Sequence, residues 1–308
     1  MANAAKKQAA PKPRNNVMQR KENAAGYLFI SPYVLAFVIF TGIPFIASML
    51  FSFLNIKYIT KLSNLSFVGF DNFVKMFTSP EIMACLWRTF VYSLVYVPLI
   101  MIIGFLLAVL LNKGVHFKNT IRGMVFLPYV SNIVAIAVIF KLMLGPSGPL
   151  VTILSALGVE NPPYLLLDTK LALPTVAAIA VWKGVGLNMI TYLGALQNVP
   201  VELEEAAQID GANRWQRIRN VVIPMVSPTT FFLIISSIIT SLQNFTIIQT
   251  LTEGGPGQAT TVMAISIVRT AFSKNMTSFA SAQAMVMFVI VMIITLIQWR
   301  GQKKWVNY

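Results

Sequence analysis

Six apolar stretches, each about as long as a bilayer is thick, constrain the fold of this 308-residue chain more than any other feature. They occupy residues 26–54, 87–111, 123–144, 171–196, 226–251 and 282–299. A helix needs about 20 consecutive apolar residues to cross the hydrocarbon core of a membrane. Because that core offers no water to the backbone, each stretch has to satisfy its own N–H and C=O groups as a helix. The sequence therefore predicts an all-α integral membrane protein, with six transmembrane helices in residues 25–308.

The composition and the N-terminal sequence agree with a membrane protein that retains its first span. Hydrophobic residues make up 56% of the chain and charged residues 11%, whereas soluble domains carry about 25% charged residues. The run at 26–54 is too long for a signal peptide and lacks a convincing cleavage site. Residues 1–24 are polar and basic, with little to bury, so they are predicted to form a disordered cytoplasmic tail. With one cysteine, Cys85, and one histidine, His116, we expect no disulfide and no metal site.

The distribution of lysine and arginine gives the orientation of the chain. If the N-terminus is inside, the inner segments carry more than twice as many basic residues as the outer ones, while the acidic residues are equally divided. The positive-inside rule then places both termini and the 199–224 loop in the cytoplasm. The net charge of +14 is thus explained by orientation and by contact with anionic lipid headgroups, and we expect no nucleic acid partner.

The loop at 199–224, VPVELEEAAQIDGANRWQRIRNVVIP, is the longest charged segment between two apolar ones. Its acidic residues come first, where a helix dipole favours negative charge, and its arginines follow. Asp210-Gly211 interrupts the pattern, because glycine readily adopts the left-handed conformation that ends a helix. The loop is therefore predicted to form two short helices joined at Gly211.

Three parts of this loop, Glu205-Ala206-Ala207, Asp210-Gly211-Ala212 and Ile223-Pro224, resemble the EAA signature of membrane subunits in binding-protein-dependent ABC importers. One position departs from the pattern, since Ile223 stands where leucine is commoner. The motifs FLPYV at 126–130, VWKG at 181–184 and LTEGGPGQAT in the last outer segment are similar to carbohydrate-type permeases of the maltose and glycerol-phosphate kind. The resemblance covers about 121–299 and implies the type I ABC importer permease fold.

In that family the EAA loop is a coupling helix that docks in a groove on a cytoplasmic ATPase. The resemblance implies that coupling to the ATPase involves Glu202, Glu205, Ala206, Ala207, Asp210, Gly211 and Ala212. Glu205 would anchor the loop to the ATPase surface, and Gly211 would set the angle between its two helices. The alternative is a solvated pair of interfacial helices that only stabilises the fold.

The sequence offers no enzyme chemistry. It lacks a GxxxxGK[ST] phosphate loop, and a single loop histidine excludes a credible Ser/His/Asp set, so we expect no catalytic residues. The resemblance implies that ATP and Mg²⁺ bind to a partner ATPase and not to this chain. It further implies a second similar permease, two ATPase subunits, an extracytoplasmic binding protein and a sugar substrate, in the inner membrane of a bacterium or archaeon.

Polar side chains within the spans are candidates for the substrate path, because polar groups in hydrocarbon tend to face a cavity or each other. The spacing of Ser237, Ser241 and Asn244 puts them on one face of a continuous helix. By spacing from the family motifs, the resemblance implies substrate contacts at Tyr129, Gly184, Ser237, Ser241 and Asn244, and Asn132 lies one helical turn from Tyr129. Hydroxyl, amide and aromatic groups suit a sugar. The alternative is that these groups hydrogen-bond neighbouring helices.

Lys183 lies near the middle of the fourth span, too deep to reach the interface easily. It could face an anionic solute, pair with backbone carbonyls or meet a group of a partner subunit. In the family that the chain resembles, lysine after tryptophan is ordinary at this place, so we do not infer an acidic sugar from it.

Together these features predict half of an ATP-driven translocation path for a mono- or oligosaccharide. The alternative function is an ion-gradient-driven secondary transporter or channel. That alternative predicts acidic or histidine relay residues within the spans, and the six apolar stretches contain none.

Overall fold

The computed structural model describes residues 16–56, 65–112 and 116–305, and these are predominantly α-helical. The described residues form no β-strand; a single antiparallel bridge joins Leu54 and Phe67. The chain divides into two compact units, residues 1–50 and 51–308.

The first unit contains helix α1 (Asn16–Phe37), which continues through a π-helical segment (Val38–Gly42) into α2 (Ile43–Phe51). From Arg20 to Phe51 the helix is long and apolar enough to cross a membrane. Helix α1 begins inside the segment predicted to be a disordered tail. The sequence after residue 15 contains good helix formers and no proline before Pro32, which explains the earlier start. The rest of that predicted tail, residues 1–15, lies outside the described residues.

Three spans of the second unit are continuous helices: α4 (Pro80–Asn112), α8 (Ala172–Gln197) and α15 (Thr277–Trp305). Two further apolar segments are bent pairs of helices. Helices α5 (Lys118–Val130) and α6 (Ile133–Met143) meet at 96°, and the segment Arg214–Met225 meets α12 (Ser227–Leu242) at 70°. Four of the six predicted spans therefore appear as continuous helices, counting the helix of the first unit. The predicted stretch 123–144 contains the α5–α6 bend, and the predicted stretch 226–251 is interrupted between α12 and α13 and is not one helix.

Shorter helices complete the second unit. They are α3 (Asp71–Thr78), α7 (Pro149–Ala156), α9 (Val201–Ile209), α10 (Arg214–Arg217), α11 (Ile223–Met225), α13 (Thr246–Leu251) and α14 (Met263–Val268), with π-helical segments at Ile218–Val222 and Arg269–Ser273.

The core of the second unit is built on the contact between α4 and α8, with α5 packed against α8 and α12 against α4. Tyr92 of α4 and Met189 of α8 are fully buried there. Glycine lets the helices approach closely: a Cβ on Gly186 would lie 2.5 Å from the carbonyl oxygen of Val125 and 2.8 Å from Cα of Phe126. Since lipid offers no hydrophobic drive for association, such close packing is what holds membrane helices together.

The third span is broken between α5 and α6, although its apolar length predicts one continuous helix. Ser131 is extended, with φ −71° and ψ 153°, and its Oγ donates to the Leu127 carbonyl oxygen at 2.8 Å. Asn132 caps α6, since its Oδ1 accepts from the backbone N–H groups of Val134 at 2.8 Å and Ala135 at 3.2 Å. Asn132 thus supplies an acceptor for two N–H groups at the start of α6, which a break at this depth would otherwise leave without partners. The Leu127 carbonyl oxygen also accepts from the backbone N–H of Ser131, at 3.2 Å.

Replacing Asn132 with alanine is expected to destabilise the permease by about 1 kcal/mol, because both N–H groups lose their acceptor. Asn132→Ser keeps a capping oxygen and should retain most of the stability. Thermal unfolding of the detergent-solubilised protein measures the difference. Equal midpoints for the alanine variant and the parent chain would show that the cap contributes nothing.

Candidate functional site

A cavity of about 400 Å³ opens beside the two interruptions in the helices. One interruption is the α5–α6 break, and the other is the segment between the end of α12 at Leu242 and the start of α13 at Thr246. The cavity is lined by residues of α4, α5, α6, α8, α12 and α13: Tyr96, Tyr129, Ile133, Ala180, Lys183, Gly184, Thr240, Gln243, Asn244, Phe245, Thr246 and Ile247. Phenol, amide, hydroxyl and ammonium groups therefore share one space with apolar walls.

Three of the six residues predicted for the substrate path line this cavity: Tyr129, Gly184 and Asn244. A Cβ on Gly184 would lie 3.1 Å from Oη of Tyr96 and 3.0 Å from Cδ1 of Ile100. Glycine at this position therefore leaves room for the Tyr96 phenol at the cavity wall. Asn244 is held in place because its Nδ2 donates to Oη of Tyr92 at 2.7 Å.

The other three predicted residues do not line the cavity. Asn132 caps α6. Ser237 and Ser241 are buried, and Oγ of Ser241 hydrogen-bonds Oγ of Ser93 on α4 at 2.7 Å. Ser241 thus joins two helices, as the alternative interpretation of the polar residues expects. The single helical face predicted for Ser237, Ser241 and Asn244 is not formed, because α12 ends at Leu242.

Several residues that line the cavity are not predicted from the sequence as part of the substrate path, notably Tyr96, Gln243 and Thr246. Helical periodicity predicts side-chain directions only along a continuous helix. Because the helix is interrupted at 243–245, it does not predict the directions of the side chains there. The available signal was local: Gln243 and Asn244 are adjacent amides within an apolar run.

Lys183 projects from α8 into the break in the third span. Its Nζ donates to the backbone carbonyl oxygen of Tyr129 at 3.0 Å and lies 5.7 Å from the centroid of the Tyr129 ring. A cation at the carboxyl end of α5 is favoured by the helix dipole. Pairing with a backbone carbonyl, one of the contacts considered from sequence, is thus formed.

The 199–224 loop forms the two helices predicted for it, with the joint at Gly211. Helix α9 ends in a left-handed turn: Gly211 has φ +81°, and the N–H of Ala212 donates to the Ala207 carbonyl oxygen at 2.9 Å. Asn213 then begins α10 in a capping box with Gln216, at 2.8 and 2.9 Å. Local backbone chemistry at both helix ends therefore fixes the joint.

A side-chain contact also bridges the joint. Nη1 of Arg217, on α10, donates to Oε1 of Gln208, on α9, at 2.8 Å. Of the predicted coupling residues, Glu202, Glu205, Ala206, Asp210 and Gly211 are exposed, while Ala207 and Ala212 are half-buried. Ile209 and Trp215 are also exposed, at 87% and 64%. The loop therefore presents carboxylates and apolar side chains beside a helix joint that is bridged by a side-chain hydrogen bond.

Removing the hydrogen bond between Arg217 and Gln208 should make the joint between α9 and α10 more mobile. For Gln208→Ala or Arg217→Met we expect amide hydrogen exchange in α9 to be about fivefold faster, because a hydrogen bond of this kind contributes about 1 kcal/mol. Arg219→Met is the matched control, since it makes the same chemical change at an exposed arginine nearby. Identical exchange in Arg217→Met and Arg219→Met would contradict a bridging role.

Comparison with known proteins identifies the family. A family model described as "Binding-protein-dependent transport system inner membrane component" matches residues 100–301. The chain belongs to this family. The predicted resemblance to binding-protein-dependent ABC importer permeases is thereby confirmed.

Relatives of this inner membrane component match it over nearly its whole length. The probable ABC transporter permease protein YesP of Bacillus subtilis (strain 168) is 34% identical over 94% of each chain. The lactose transport system permease protein LacF of Rhizobium radiobacter is 32% identical over 91% of this chain and 93% of its own. The sn-glycerol-3-phosphate transport system permease protein UgpA of Pectobacterium atrosepticum is 31% identical over 92% of this chain and 95% of its own.

Solved structures confirm the predicted permease fold of this inner membrane component. A chain of a bacterial ABC transporter involved in the import of the acidic polysaccharide alginate matches with a TM-score of 0.82 and 26% identity, covering 94% of this chain and 98% of that one. A bacterial alginate ABC transporter in complex with an alginate pentasaccharide-bound periplasmic protein matches with a TM-score of 0.83 and 25% identity, covering 94% and 97%.

Proposed function

We propose that this chain is the permease subunit through which a carbohydrate-derived solute, delivered by an extracytoplasmic binding protein, crosses the inner membrane in ATP-driven import. One observation carries the proposal: relatives named for the transport of lactose, sn-glycerol 3-phosphate and arabinooligosaccharides match about nine-tenths of the chain. The alginate transporter of similar fold has been seen with its periplasmic protein, which supports a comparable partner here.

The proposed substrate path is the cavity beside the two helix breaks. Interrupted helices supply binding sites in many transporters, because the freed backbone groups and nearby polar side chains surround a solvated space. The volume of about 400 Å³ falls within the range of about 300–1,000 Å³ of small-molecule sites. Tyr129 and Tyr96 offer ring faces, and Gln243 and Asn244 offer amides, which together suit sugar hydroxyls and C–H faces.

The proposed energy source is a pair of ATPase subunits that hold ATP and Mg²⁺, working with a second, similar permease. ATP-driven closure of the ATPases would move α9 as a lever, and the attached spans would re-orient the cavity by alternating access. This role is supported by the exposure of Glu202 and Glu205 and by the defined left-handed turn at Gly211 between the two helices. The lysine and arginine asymmetry supports cytoplasmic termini and a cytoplasmic loop.

The test is co-purification followed by transport. A tagged form of this chain should carry an ATPase and a second permease through membrane solubilisation, and the reconstituted complex with its binding protein should take up a labelled carbohydrate only when ATP is enclosed. A permease that travels without an ATPase, or uptake that follows an ion gradient without ATP, would overturn the proposal and favour the secondary transporter instead. No observation on the described residues favours that alternative.

A further inference from the structure

Two tyrosines of α4, Tyr92 and Tyr96, stack on each other one helical turn apart. Their ring centroids are 5.9 Å apart, with 11° between the ring planes, and their exposed fractions are only 1% and 5%. Their hydroxyl groups differ. Oη of Tyr92 accepts from Nδ2 of Asn244 at 2.7 Å, whereas no hydrogen bond among the described residues involves Oη of Tyr96. Helix packing therefore uses one of the two hydroxyl groups and not the other.

The hydroxyl of Tyr96 is accessible from the cavity of about 400 Å³, which this residue lines. Within the described part of the chain, the sealed side-chain N and O atoms that lack a hydrogen bond are Nε of Arg122 and Nε of Arg217. Oη of Tyr96 is not one of them. A Cβ on Gly184 would lie 3.1 Å from Oη, so the glycine leaves the hydroxyl uncovered on the side of α8.

The aromatic stack does not explain why residue 96 carries a hydroxyl, because phenylalanine would pack against Tyr92 in the same way. A hydroxyl group in a largely apolar site is unfavourable unless it forms a hydrogen bond. The partner for Tyr96 therefore has to come from the contents of the cavity. A phenol hydroxyl both donates and accepts, as does a hydroxyl group of a sugar, so the two are chemically complementary.

We propose that Tyr96 is a specificity-determining residue that binds the transported solute, its hydroxyl forming a hydrogen bond with a hydroxyl group of the carbohydrate. A site built to hydrogen-bond a substrate hydroxyl rejects an analogue that lacks it, because the protein group is then left unpaired. This inference rests on the proposed import of a carbohydrate-derived solute. It adds a contact from α4, a helix that contains none of the residues predicted from sequence for the substrate path.

The first experiment measures uptake by the reconstituted complex, with the binding protein saturated by each member of a panel that includes lactose, arabinotriose and sn-glycerol 3-phosphate. For the solute that is transported, Tyr96→Phe should lower uptake about fivefold, the effect of one hydrogen bond. ATP hydrolysis with the unliganded binding protein should be unchanged. Tyr192→Phe is the matched control, since it makes the same change at a buried tyrosine of α8 that does not line the cavity.

The outcomes separate this inference from the proposed function. Equal uptake by Tyr96→Phe and the parent transporter would overturn the inference and leave carbohydrate import intact. If no member of the panel is transported, the proposed function fails, and the inference fails with it.

Monodeoxy analogues of the transported solute test whether the hydroxyl acts on the solute itself. The parent transporter should carry one analogue, which lacks the hydroxyl that Tyr96 binds, about fivefold more slowly than the full sugar. Tyr96→Phe should carry this analogue as well as the parent does, because the contact is already lost. An equal fall in Tyr96→Phe for the full sugar and for every analogue would place the effect in the helices and overturn the inference.

Thermal unfolding of the solubilised permease gives an independent readout. Tyr92→Phe should lower the unfolding midpoint, because Asn244 loses its hydrogen-bond partner. Tyr96→Phe should leave the midpoint unchanged or raise it, because the removed hydroxyl has no partner in the described residues. Equal falls in both variants would show that the Tyr96 hydroxyl stabilises the fold, and would contradict its assignment to the solute.

Discussion

Gly186→Ala is expected to prevent the second unit from packing correctly, although it adds a single methyl group. The new Cβ would lie 2.5 Å from the carbonyl oxygen of Val125 and 2.8 Å from Cα of Phe126. Both are backbone atoms, so α5 has to move away from α8. Overpacking of this kind costs about 1–3 kcal/mol or more. At about 2–4 °C per kcal/mol, we expect the unfolding midpoint of the solubilised permease to fall by about 5 °C or more, and uptake to fall with it.

Gly194→Ala on the same helix is the matched control. Its Cβ would meet no atom within 4 Å, and alanine favours a helix interior over glycine by about 0.5–1 kcal/mol. This variant should be as stable as the parent chain or slightly more stable. If both variants unfold at the same temperature, close contact between α5 and α8 is not what stabilises the unit.

If the 199–224 loop couples to an ATPase as proposed, Gly211→Val should uncouple the two and lower ATP-dependent uptake by about tenfold. Gly211 has φ +81°, and a Cβ there would meet no atom within 4 Å, so the effect acts through the backbone and not through a clash. A left-handed conformation costs an L-residue about 1–2 kcal/mol, and a β-branched residue is especially unsuited to it. Turning α9 relative to α10 would relieve the strain and would move the exposed carboxylates away from the proposed docking surface on the ATPase.

Gly211→Asn separates conformation from chemistry, because asparagine tolerates positive φ and occurs at helix C-termini. It should keep most of the uptake and retain the ATPase during purification. The measurements are ATP-dependent uptake and the ATPase-to-permease ratio after affinity purification. Unchanged uptake in Gly211→Val would count against the coupling role of the loop, and equal losses in both variants would show that the backbone conformation is not the cause.

The sequence predicts well those features that depend on a few neighbouring residues or on the length of an apolar stretch. Apolar length alone gives six spans, and the Asp210-Gly211 pair gives the joint of the 199–224 loop, because helix-ending chemistry lies within a few residues. The cap at Asn132 is equally local, but the apolar length of 123–144 does not predict it. Apolar length does not show where a side chain takes the place of a backbone hydrogen-bond partner and lets a helix end.

The sequence does not predict which side chains meet across different helices. Ser241 looks like a cavity residue on a helical wheel, but its partner is Ser93, 148 positions away. Conversely, Tyr96 on α4 gave no signal from the polar pattern of its own span, since its place at the cavity depends on the absence of a side chain at Gly184 on α8. Three of the six predicted path residues therefore reach the cavity.

The 96° bend between α5 and α6 has a mechanical consequence for alternating access. Helix α5 ends at Val130 and α6 begins at Ile133, so a change in the angle between them would not have to unwind either helix. Such a change would be opposed by the close packing of α5 against α8 at Gly186 and by the hydrogen bond from Lys183 to the Tyr129 carbonyl oxygen. In the proposed transport cycle this span would therefore act as two short rigid halves and not as one continuous rod.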